Sequence, residues 1–464
     1  FSVSRSFCQT VRLSHSINDE EIKYVTLRKT LIKKWLKDQG INCELDVPNI
    51  ALLGSGGGER AAVGMLGSLH QLAQDNLLGS LLYMCGVSGT TWCMSSLYSN
   101  PALSLSERCD EVIKKLKDST VDWSKAVEWL KLRKEQNQDF NLTDFWGAFI
   151  ACYFMKEVNT NITKPYPIYM YISVIYQLSV GVWFEMTPYE SGFSGLGAFV
   201  PTSCLGSQFE ARTLREKRKE MDMVLLQGGE RIDTHANVNW DMTKELIRVV
   251  FPQIESHQDL MFPFKISTFL VGSLSLSTPL STPLSSRSPY LSNPPISLYP
   301  LALSPPSLSV SLPPSLRSLS VYPSFPSISP DTNVPSSMAS KEKIHLVDAG
   351  LKMNSPYPPV LRPSREVDLI ISLDFSEGDP FETVFSAKKY ALQQKVPFPP
   401  VKESVRDEKD RPQGCYVFEG RRPEEPTIMH MPLFNLQNCK ERGQYVTNWL
   451  VAHNKKGGNA EIKE

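Results

Sequence analysis

The sequence predicts an α/β fold built on a sheet whose neighbouring strands run parallel. Two apolar segments of strand length, residues 49–53 and 81–85, are each followed by a glycine-containing turn and then by a helical pattern. This repeated strand–turn–helix order is typical of α/β domains, in which helices cover a central sheet. A hydrophobic content of 41% over 464 residues supplies enough apolar side chains for a large core.

The first predicted helix covers about residues 18–40. Ile22, Val25, Ile32 and Trp35 recur at helical spacing, among several lysines and arginines. The pattern favours a helix that packs on the domain and leaves a basic face in water. A role of that face at a membrane surface is the alternative.

The other elements follow from apolar runs and their breaks. Glycine-rich turns separate the early strands from their helices, and prolines interrupt the helical pattern near residue 165. The further predicted elements are a helix over 60–74, a helix starting near 91, mostly helical structure over 105–160, an irregular aromatic segment over 183–204, and strands over 344–348 and 367–374.

One long segment differs from the rest in composition. Residues 266–340 are dominated by Ser, Pro and Leu and cannot provide a periodic core, which predicts a disordered insertion. The ordered chain is then one catalytic domain in two parts, residues 18–265 and residues 341–450. A proline-rich ligand segment is a weaker alternative for the insertion.

Charge and cysteine usage exclude several classes of protein. Lys+Arg and Asp+Glu are both 49, and a balanced charge argues against a general nucleic-acid binder. The nine cysteines are irregularly spaced without a Cys-x-x-Cys pair, which predicts reduced thiols in the cytoplasm and no zinc site. No apolar run reaches the ~18 residues of a membrane span.

Ser88 is the candidate nucleophile. It lies between two glycines in Gly86–Thr90, at a predicted strand-to-helix corner that would lift the hydroxyl clear of the sheet. The helix that follows would favour negative charge near the serine. Thr90 replaces the last glycine of a full Gly-x-Ser-x-Gly motif, so a purely structural tight turn is the alternative.

A second glycine-rich turn supplies candidate oxyanion donors. Gly54–Gly58 contains three adjacent glycines whose N–H groups can line one concavity. A phosphate loop is disfavoured, because no Lys-Ser/Thr pair follows the glycines. Arg60 lies just past this turn, where a guanidinium could bind a phosphate head group. A surface helix residue is the alternative for Arg60.

A serine nucleophile needs a base, and the histidine positions do not offer an obvious one. Asp348 ends a predicted strand and precedes Ala349-Gly350. A carboxylate can act as the base directly if it reaches the hydroxyl, which predicts a Ser–Asp dyad. A turn-capping aspartate is an equally good interpretation of its position alone.

Several motifs in this order strongly resemble the group IV cytosolic phospholipase A2 family, over about residues 20–210 and 341–440. The likeness is greatest to its gamma-type member, which lacks a C2 domain. The motifs that carry the resemblance are Gly54–Ala61 (GSGGGERA), Gly86–Trp92 (GVSGTTW), Trp183–Glu190 (WFEMTPYE), Val347–Gly350 (VDAG), Pro356–Pro363 (PYPPVLRP) and Val367–Phe375 (VDLIISLDF).

The resemblance implies a patatin-like α/β domain with a central mixed sheet and a cap over an apolar funnel. It also implies a role for each residue that matches a family motif. The implied site residues are Ser88 as nucleophile, Asp348 as its dyad partner, Gly57 and Gly58 as the oxyanion hole, and Arg60 and Arg365 as substrate-binding arginines.

The implied reaction is hydrolysis of the sn-2 ester of a glycerophospholipid through an acyl-serine intermediate, with lysophospholipase activity also expected. About 50 residues precede the first catalytic strand, too few for a calcium-binding C2 domain, so calcium-independent action without a cofactor is expected. The implied partner is a phospholipid membrane surface, and the implied location is cytoplasmic with peripheral membrane association.

Two other functions remain open at the level of sequence. The region 212–340 departs from the family pattern, so a catalytically impaired lipid-binding relative with an incomplete cap is the main alternative. A general α/β-hydrolase esterase is another, and it requires a histidine within hydrogen-bond reach of Ser88.

Overall fold

A mixed β-sheet organises the part of the chain that the structure describes. The computed structural model describes residues 11–41, 47–99, 103–117, 123–136, 142–154, 167–173, 182–210, 213–217, 346–433, 435, 437 and 438. The strands are β1 (Arg12–Leu13), β2 (Ile50–Gly54), β3 (Leu81–Gly86), β4 (Pro167–Ser173), β5 (Val182–Met186), β6 (Glu190–Phe193), β7 (Ala198–Pro201), β8 (Gln208–Glu210), β9 (Thr213–Glu216), β10 (Leu346–Asp348), β11 (Leu369–Asp374), β12 (Tyr416–Phe418) and β13 (Thr427–Pro432).

The helices fall where the apolar periodicity predicts them. Asn18 caps the first helix, because its side chain accepts a hydrogen bond from the Glu21 N–H, and three acidic residues occupy the first turn. The helices are α1 (Asp19–Asp38), α2 (Gly58–Gln74), α3 (Gly89–Ser99), α4 (Leu105–Lys117), α5 (Ser124–Gln136), α6 (Leu142–Phe149), α7 (Tyr357–Val360) and α8 (Glu382–Gln394).

The main sheet has eleven strands among the described residues, in the order β1-β7-β6-β5-β4-β3-β2-β11-β13-β12, with β10 paired to β4. The centre is parallel: β4, β3, β2, β11 and β13 run in one direction. Strands at both ends are antiparallel. Parallel neighbours bring their carboxyl ends to one edge of the sheet, and that edge carries the turns described below.

Side chains of β2 alternate between two helical layers, as a strand buried on both faces requires. Ala51 and Leu53 pack in the cluster that contains Ile32 of α1 and Val384 of α8. Leu52 points the other way and packs with residues of α2 and α3. Helices therefore cover both faces of the parallel region.

The aromatic segment predicted to be irregular is instead sheet. Residues 183–204 contribute to β5, β6 and β7, which extend the sheet in antiparallel register. Phe184 and Phe193 on adjacent strands make an edge-to-face ring contact, with centroids 5.1 Å apart. Short strands with polar residues and glycines between the aromatics concealed the period of two.

Strand β10 brings the second part of the chain beside the first. It pairs with β4, which also pairs with β3. Asp348 lies opposite Tyr171 of β4, and Gly86 lies opposite Tyr169 of the same strand. Two residues along a strand span about 7 Å. The backbone of Asp348 is therefore close to the turn that begins after Gly86.

All of the described residues belong to one compact unit of the chain. The insertion expected at 266–340 lies outside the described residues, and the domain limits at 18–265 and 341–450 stay predictions. Within the described residues, no helix is both long and apolar enough to span a bilayer. Cys204 is disulfide-bonded, so the prediction of reduced thiols is wrong at this residue.

Candidate active site

Two glycine-rich turns meet at the carboxyl edge of the parallel strands. Gly54 ends β2 and Gly86 ends β3, and the two residues are register partners. Each turn leads directly into a helix, α2 or α3. The N-termini of both helices therefore lie at the same edge, where their dipoles favour a bound or developing negative charge.

Ser88 occupies the corner between β3 and α3. Its φ is +52°, in the left-handed region that non-glycine residues seldom adopt. Thr91 holds this conformation, because both its N–H, at 2.9 Å, and its hydroxyl donate to the Ser88 carbonyl oxygen. A strained serine at a strand-to-helix corner is the geometry of a nucleophile elbow.

Thr90, which stands where a full Gly-x-Ser-x-Gly motif has its last glycine, has a structural role at this corner. Its hydroxyl accepts a hydrogen bond from the Val87 N–H at 3.0 Å and donates to the Gly54 carbonyl at 2.8 Å. Thr90 is fully buried, so these bonds are shielded from water. The Thr90 side chain thus connects the two turns, a role that the sequence pattern does not reveal.

The predicted oxyanion turn has the backbone that only glycine adopts readily. Gly57 has a φ of +153° and Gly58 a φ of +60°. Their N–H groups lie at the start of α2, where helix geometry leaves donors without intrahelical acceptors. A β-carbon on Gly89 would lie 1.9 Å from the Gly58 carbonyl oxygen. Glycine at position 89 therefore allows the serine corner to approach the oxyanion turn.

Asp348 lies at the end of β10, at the same edge of the sheet. Its side chain is 5% exposed, as is that of Ser88. One carboxylate oxygen, Oδ1, accepts a hydrogen bond from the Gly350 N–H at 2.8 Å. The turn-capping interpretation of Asp348 is thus satisfied in the structure. The role of Asp348 as the dyad partner of Ser88 stays a prediction.

Asn354 connects the turn after Asp348 to the glycine-rich turn. Its backbone oxygen accepts from the Gly56 N–H at 2.9 Å, and its Nδ2 donates to the Gly56 carbonyl at 3.0 Å. The same Nδ2 donates to Ser376 Oγ at 2.7 Å. A β-carbon on Gly56 would lie 3.0 Å from Ser88 Cβ, so Asn354 holds a segment that contacts the serine.

Arg60 lies beside the oxyanion turn and remains partly exposed, with 35% of its side chain open to water. Its Nε donates to the Phe375 carbonyl at 2.9 Å. Its Nη2 is 3.3 Å from the position that a Gly57 β-carbon would occupy. The anchored Nε orients the guanidinium, so that Nη2 lies next to Gly57 and Nη1 lies 3.9 Å from Glu377 Oε2.

Arg365 is placed differently from the prediction that it binds substrate. Its side chain is fully buried, and its backbone carbonyl accepts a hydrogen bond from Asn49, the residue before β2. All five N–H donors of an arginine are used: they bond to both carboxylate oxygens of Glu21, both of Glu185 and the Pro359 carbonyl. No donor remains for a phosphate, so this placement does not support a contact with substrate.

Glu185 lies between two arginines in this buried cluster. It accepts hydrogen bonds from Arg365 and Arg362, and from the Ser194 hydroxyl at 2.8 Å. Burial alone would raise the pKa of Glu185, but attraction to Arg365 and Arg362 outweighs it and lowers the pKa to about 2. The carboxylate is therefore charged at neutral pH, and it belongs to the Trp183–Glu190 motif.

The histidines that the structure describes are His15, His70 and His430, and none of them is hydrogen-bonded to Ser88. His430 is buried and bonds instead to Ser372 and to the Pro380 carbonyl. The histidine-dependent esterase therefore gains no support from these three residues. Among the described residues, no group of three or more His, Cys, Asp or Glu side chains is arranged to hold a metal ion.

Comparison with known proteins is consistent with this geometry. Residues 50–228 match the model of the lysophospholipase catalytic domain family. Human cytosolic phospholipase A2 gamma is 30% identical over 92% of this chain and 87% of that protein. Mouse cytosolic phospholipase A2 zeta is 29% identical over 92% of this chain, which spans 54% of that longer protein.

A solved structure confirms the predicted fold class. Human group IVD cytosolic phospholipase A2 superposes with a TM-score of 0.66 at 25% sequence identity. The match covers 92% of this chain and 56% of that one. The described chain therefore has the α/β architecture of that catalytic domain.

Proposed function

The chain belongs to the cytosolic phospholipase A2 family, and we propose that it is a calcium-independent phospholipase A2 that uses Ser88 and Asp348 as a dyad. The observation that carries the proposal is the strained Ser88 corner, packed against the Gly57–Gly58 turn at the N-termini of two helices. Asp348 reaches the same sheet edge through β10.

The first chemical step is attack on the sn-2 ester of a glycerophospholipid. The Asp348 carboxylate takes the proton from Ser88 Oγ, and Oγ forms a bond to the ester carbonyl carbon. The carbonyl oxygen becomes an oxyanion, which the N–H groups of Gly57 and Gly58 stabilise. The fixed Ser88 backbone lowers the cost of aligning the hydroxyl with the ester.

Collapse of the tetrahedral intermediate breaks the ester bond. The lysophospholipid leaves with the proton held by Asp348, and the acyl group stays on Ser88. Water then attacks the acyl-serine while Asp348 takes its proton, and release of the fatty acid restores the hydroxyl. Because each proton has an acceptor in the dyad, the proposed reaction needs no calcium ion in the chemical step. A lysophospholipid ester would be hydrolysed by the same sequence.

Arg60 is proposed to bind the substrate phosphate. A guanidinium with two terminal nitrogens can make paired hydrogen bonds to phosphate oxygens. Its position next to Gly57 would place the phosphate close to the ester under attack. We assign no substrate contact to Arg365. The substrate lies in a membrane, so the protein is proposed to be cytoplasmic and to associate peripherally with phospholipid surfaces.

The test is release of fatty acid from phosphatidylcholine vesicles in EGTA. The parent protein is expected to be active, and added calcium is expected to leave its rate unchanged. Ser88→Ala and Asp348→Asn are each expected to lose at least about a thousandfold in kcat, because residues of a catalytic dyad act as a unit. Ser68→Ala and Glu419→Gln, which change a similar group elsewhere, serve as matched controls.

A fluorophosphonate probe separates the proposed enzyme from an impaired lipid-binding relative. Covalent labelling of the parent, lost in Ser88→Ala, would support the enzyme. A folded parent that binds vesicles but neither reacts with the probe nor hydrolyses lipid would contradict the proposal. Activity that requires calcium would contradict the calcium-independent part alone.

A further inference from the structure

We propose that Glu377 makes the head-group subsite selective for phospholipids that carry a cationic ammonium, such as choline or ethanolamine lipids. This inference rests on the proposed role of Arg60 as the phosphate-binding residue. Glu377 Oε2 lies 3.9 Å from Arg60 Nη1, and 74% of the Glu377 side chain is exposed. A carboxylate thus lies at the outer side of the phosphate-binding guanidinium.

The ion pair between Arg60 and Glu377 is weak, so both groups can bind a ligand. A separation of 3.9 Å exceeds an ordinary hydrogen bond, and an ion pair this exposed contributes little. The firm bond of Arg60 is the one from Nε to the Phe375 carbonyl, which leaves Nη1 and Nη2 to face a ligand. A phosphate can therefore bind Arg60 without first breaking a strong internal contact.

The backbone on either side holds Glu377 in place. The Phe375 N–H donates to Ser55 Oγ at 2.7 Å, and the Ser376 N–H donates to Asp374 Oδ1 at 2.9 Å. Asn354 anchors the Ser376 hydroxyl. Further along the segment, the Pro380 carbonyl contacts His430 at 2.6 Å. The segment is thus fixed to the same residues that build the candidate active site.

The spacing suits a zwitterionic head group. In choline and ethanolamine lipids, two carbon atoms separate the phosphate oxygen from the nitrogen, so the ammonium lies only a few ångströms from the phosphate. With the phosphate on Arg60, the ammonium can lie beside the Glu377 carboxylate. A glycerol head group offers no cation there, and an additional anionic group would be repelled.

Binding of soluble lipids isolates this effect from catalysis. The Ser88→Ala protein, which cannot turn over, is titrated with monomeric short-chain phosphatidylcholine and phosphatidylglycerol of equal acyl length by calorimetry. We expect it to bind the choline lipid about fivefold more tightly, a ratio that corresponds to about 1 kcal/mol between charges near 4 Å in water.

Variants made in the Ser88→Ala protein test whether Glu377 causes the preference for the choline lipid. Glu377→Gln is expected to bring the ratio close to one, and Glu377→Lys to invert it. Glu419→Gln removes an exposed carboxylate that follows β12, far from Arg60, and should keep the fivefold ratio. Equal affinity for the two lipids, no binding of either, or a ratio that Glu377→Gln leaves unchanged would overturn the proposal.

These experiments distinguish failure of the head-group role of Glu377 from failure of the proposed phospholipase function. Hydrolysis by the parent with a ratio insensitive to Glu377 would refute the head-group role and leave the phospholipase intact. A Glu377-dependent binding preference in a chain that never hydrolyses lipid would support the head-group role and refute the enzyme.

Discussion

Arg60 and Arg365 were both expected to bind substrate, yet the structure surrounds them in opposite ways. Arg60 is half-buried at the carboxyl edge of the sheet, with one firm bond from Nε and with Nη2 beside Gly57. Arg365 is fully buried near the amino end of β2, where its neighbour Glu366 contacts Asn49, and all five of its donors are occupied.

The difference shows that an arginine in a shared motif does not reveal its role by itself. Arg365 joins α1, through Glu21, to β5, through Glu185. Two segments 164 residues apart are thereby bonded to one side chain. The catalytic edge should accordingly control rate, and the buried cluster should control stability. Four measurements test this contrast.

The largest effect is expected at Arg365. Arg365→Met would leave Glu21 and Glu185 buried without their cation, so the free energy of unfolding should fall by about 3–5 kcal/mol. Denaturant unfolding measures it, with Arg421→Met on the surface as control. Arg365→Lys keeps the charge and should lose less. If kcat/KM per folded molecule fell strongly while stability held, Arg365 would be a substrate ligand after all.

The stability that this buried cluster provides should depend on pH, because Glu185 titrates in acid. The pKa of Glu185 is lowered from 4.5 to about 2. The contribution of its charge to the free energy of unfolding is therefore complete above about pH 4.5 and is lost as the pH falls toward 2. The difference corresponds to about 3 kcal/mol of unfolding free energy. Unfolding midpoints between pH 5 and pH 2 measure it. Glu185→Gln, already destabilised, should show a shallower pH dependence than the parent; an identical slope would contradict the assignment.

A smaller effect, on rate, is expected at Arg60. Arg60→Ala removes the paired hydrogen bonds to the phosphate, and a loss of about 2 kcal/mol corresponds to about thirtyfold in kcat/KM. Its unfolding free energy should change by no more than about 1 kcal/mol, because only the bond to Phe375 is lost. Arg421→Ala controls for net charge at the membrane. Equal losses in both variants would mean that Arg60 acts only through general charge.

The smallest effect is expected at Asn354, which positions the site without touching substrate. Asn354→Ala loses the bonds from Nδ2 to Gly56 and Ser376, so kcat should fall by about tenfold with KM little changed. Ser376→Ala removes only one of those bonds and should cost less. A rise in KM at constant kcat would instead place Asn354 in substrate binding.

The central strands, the turns after them and the candidate nucleophile can be predicted from the amino-acid sequence. Apolar runs predicted β2 and β3, glycine-rich turns predicted the corners after them, and Ser88 followed from its place between glycines. These features are local: strand, turn and helix preferences depend on residues close in the chain. Asp348 followed from its place at the end of a predicted strand, and the register of β10 brings it to the same edge.

Contacts between residues that are distant in the chain become visible in the folded structure alone. Asn354 bonds to Gly56 across 298 residues, and Arg365 bonds to Glu21 across 344. No local pattern encodes such pairings. The sequence also does not distinguish a guanidinium beside an open turn from one enclosed by carboxylates, since both arginines lie within a few residues of glycine or proline. Burial sets that difference, because a buried cation must be fully paired whereas an exposed one can exchange water for a ligand.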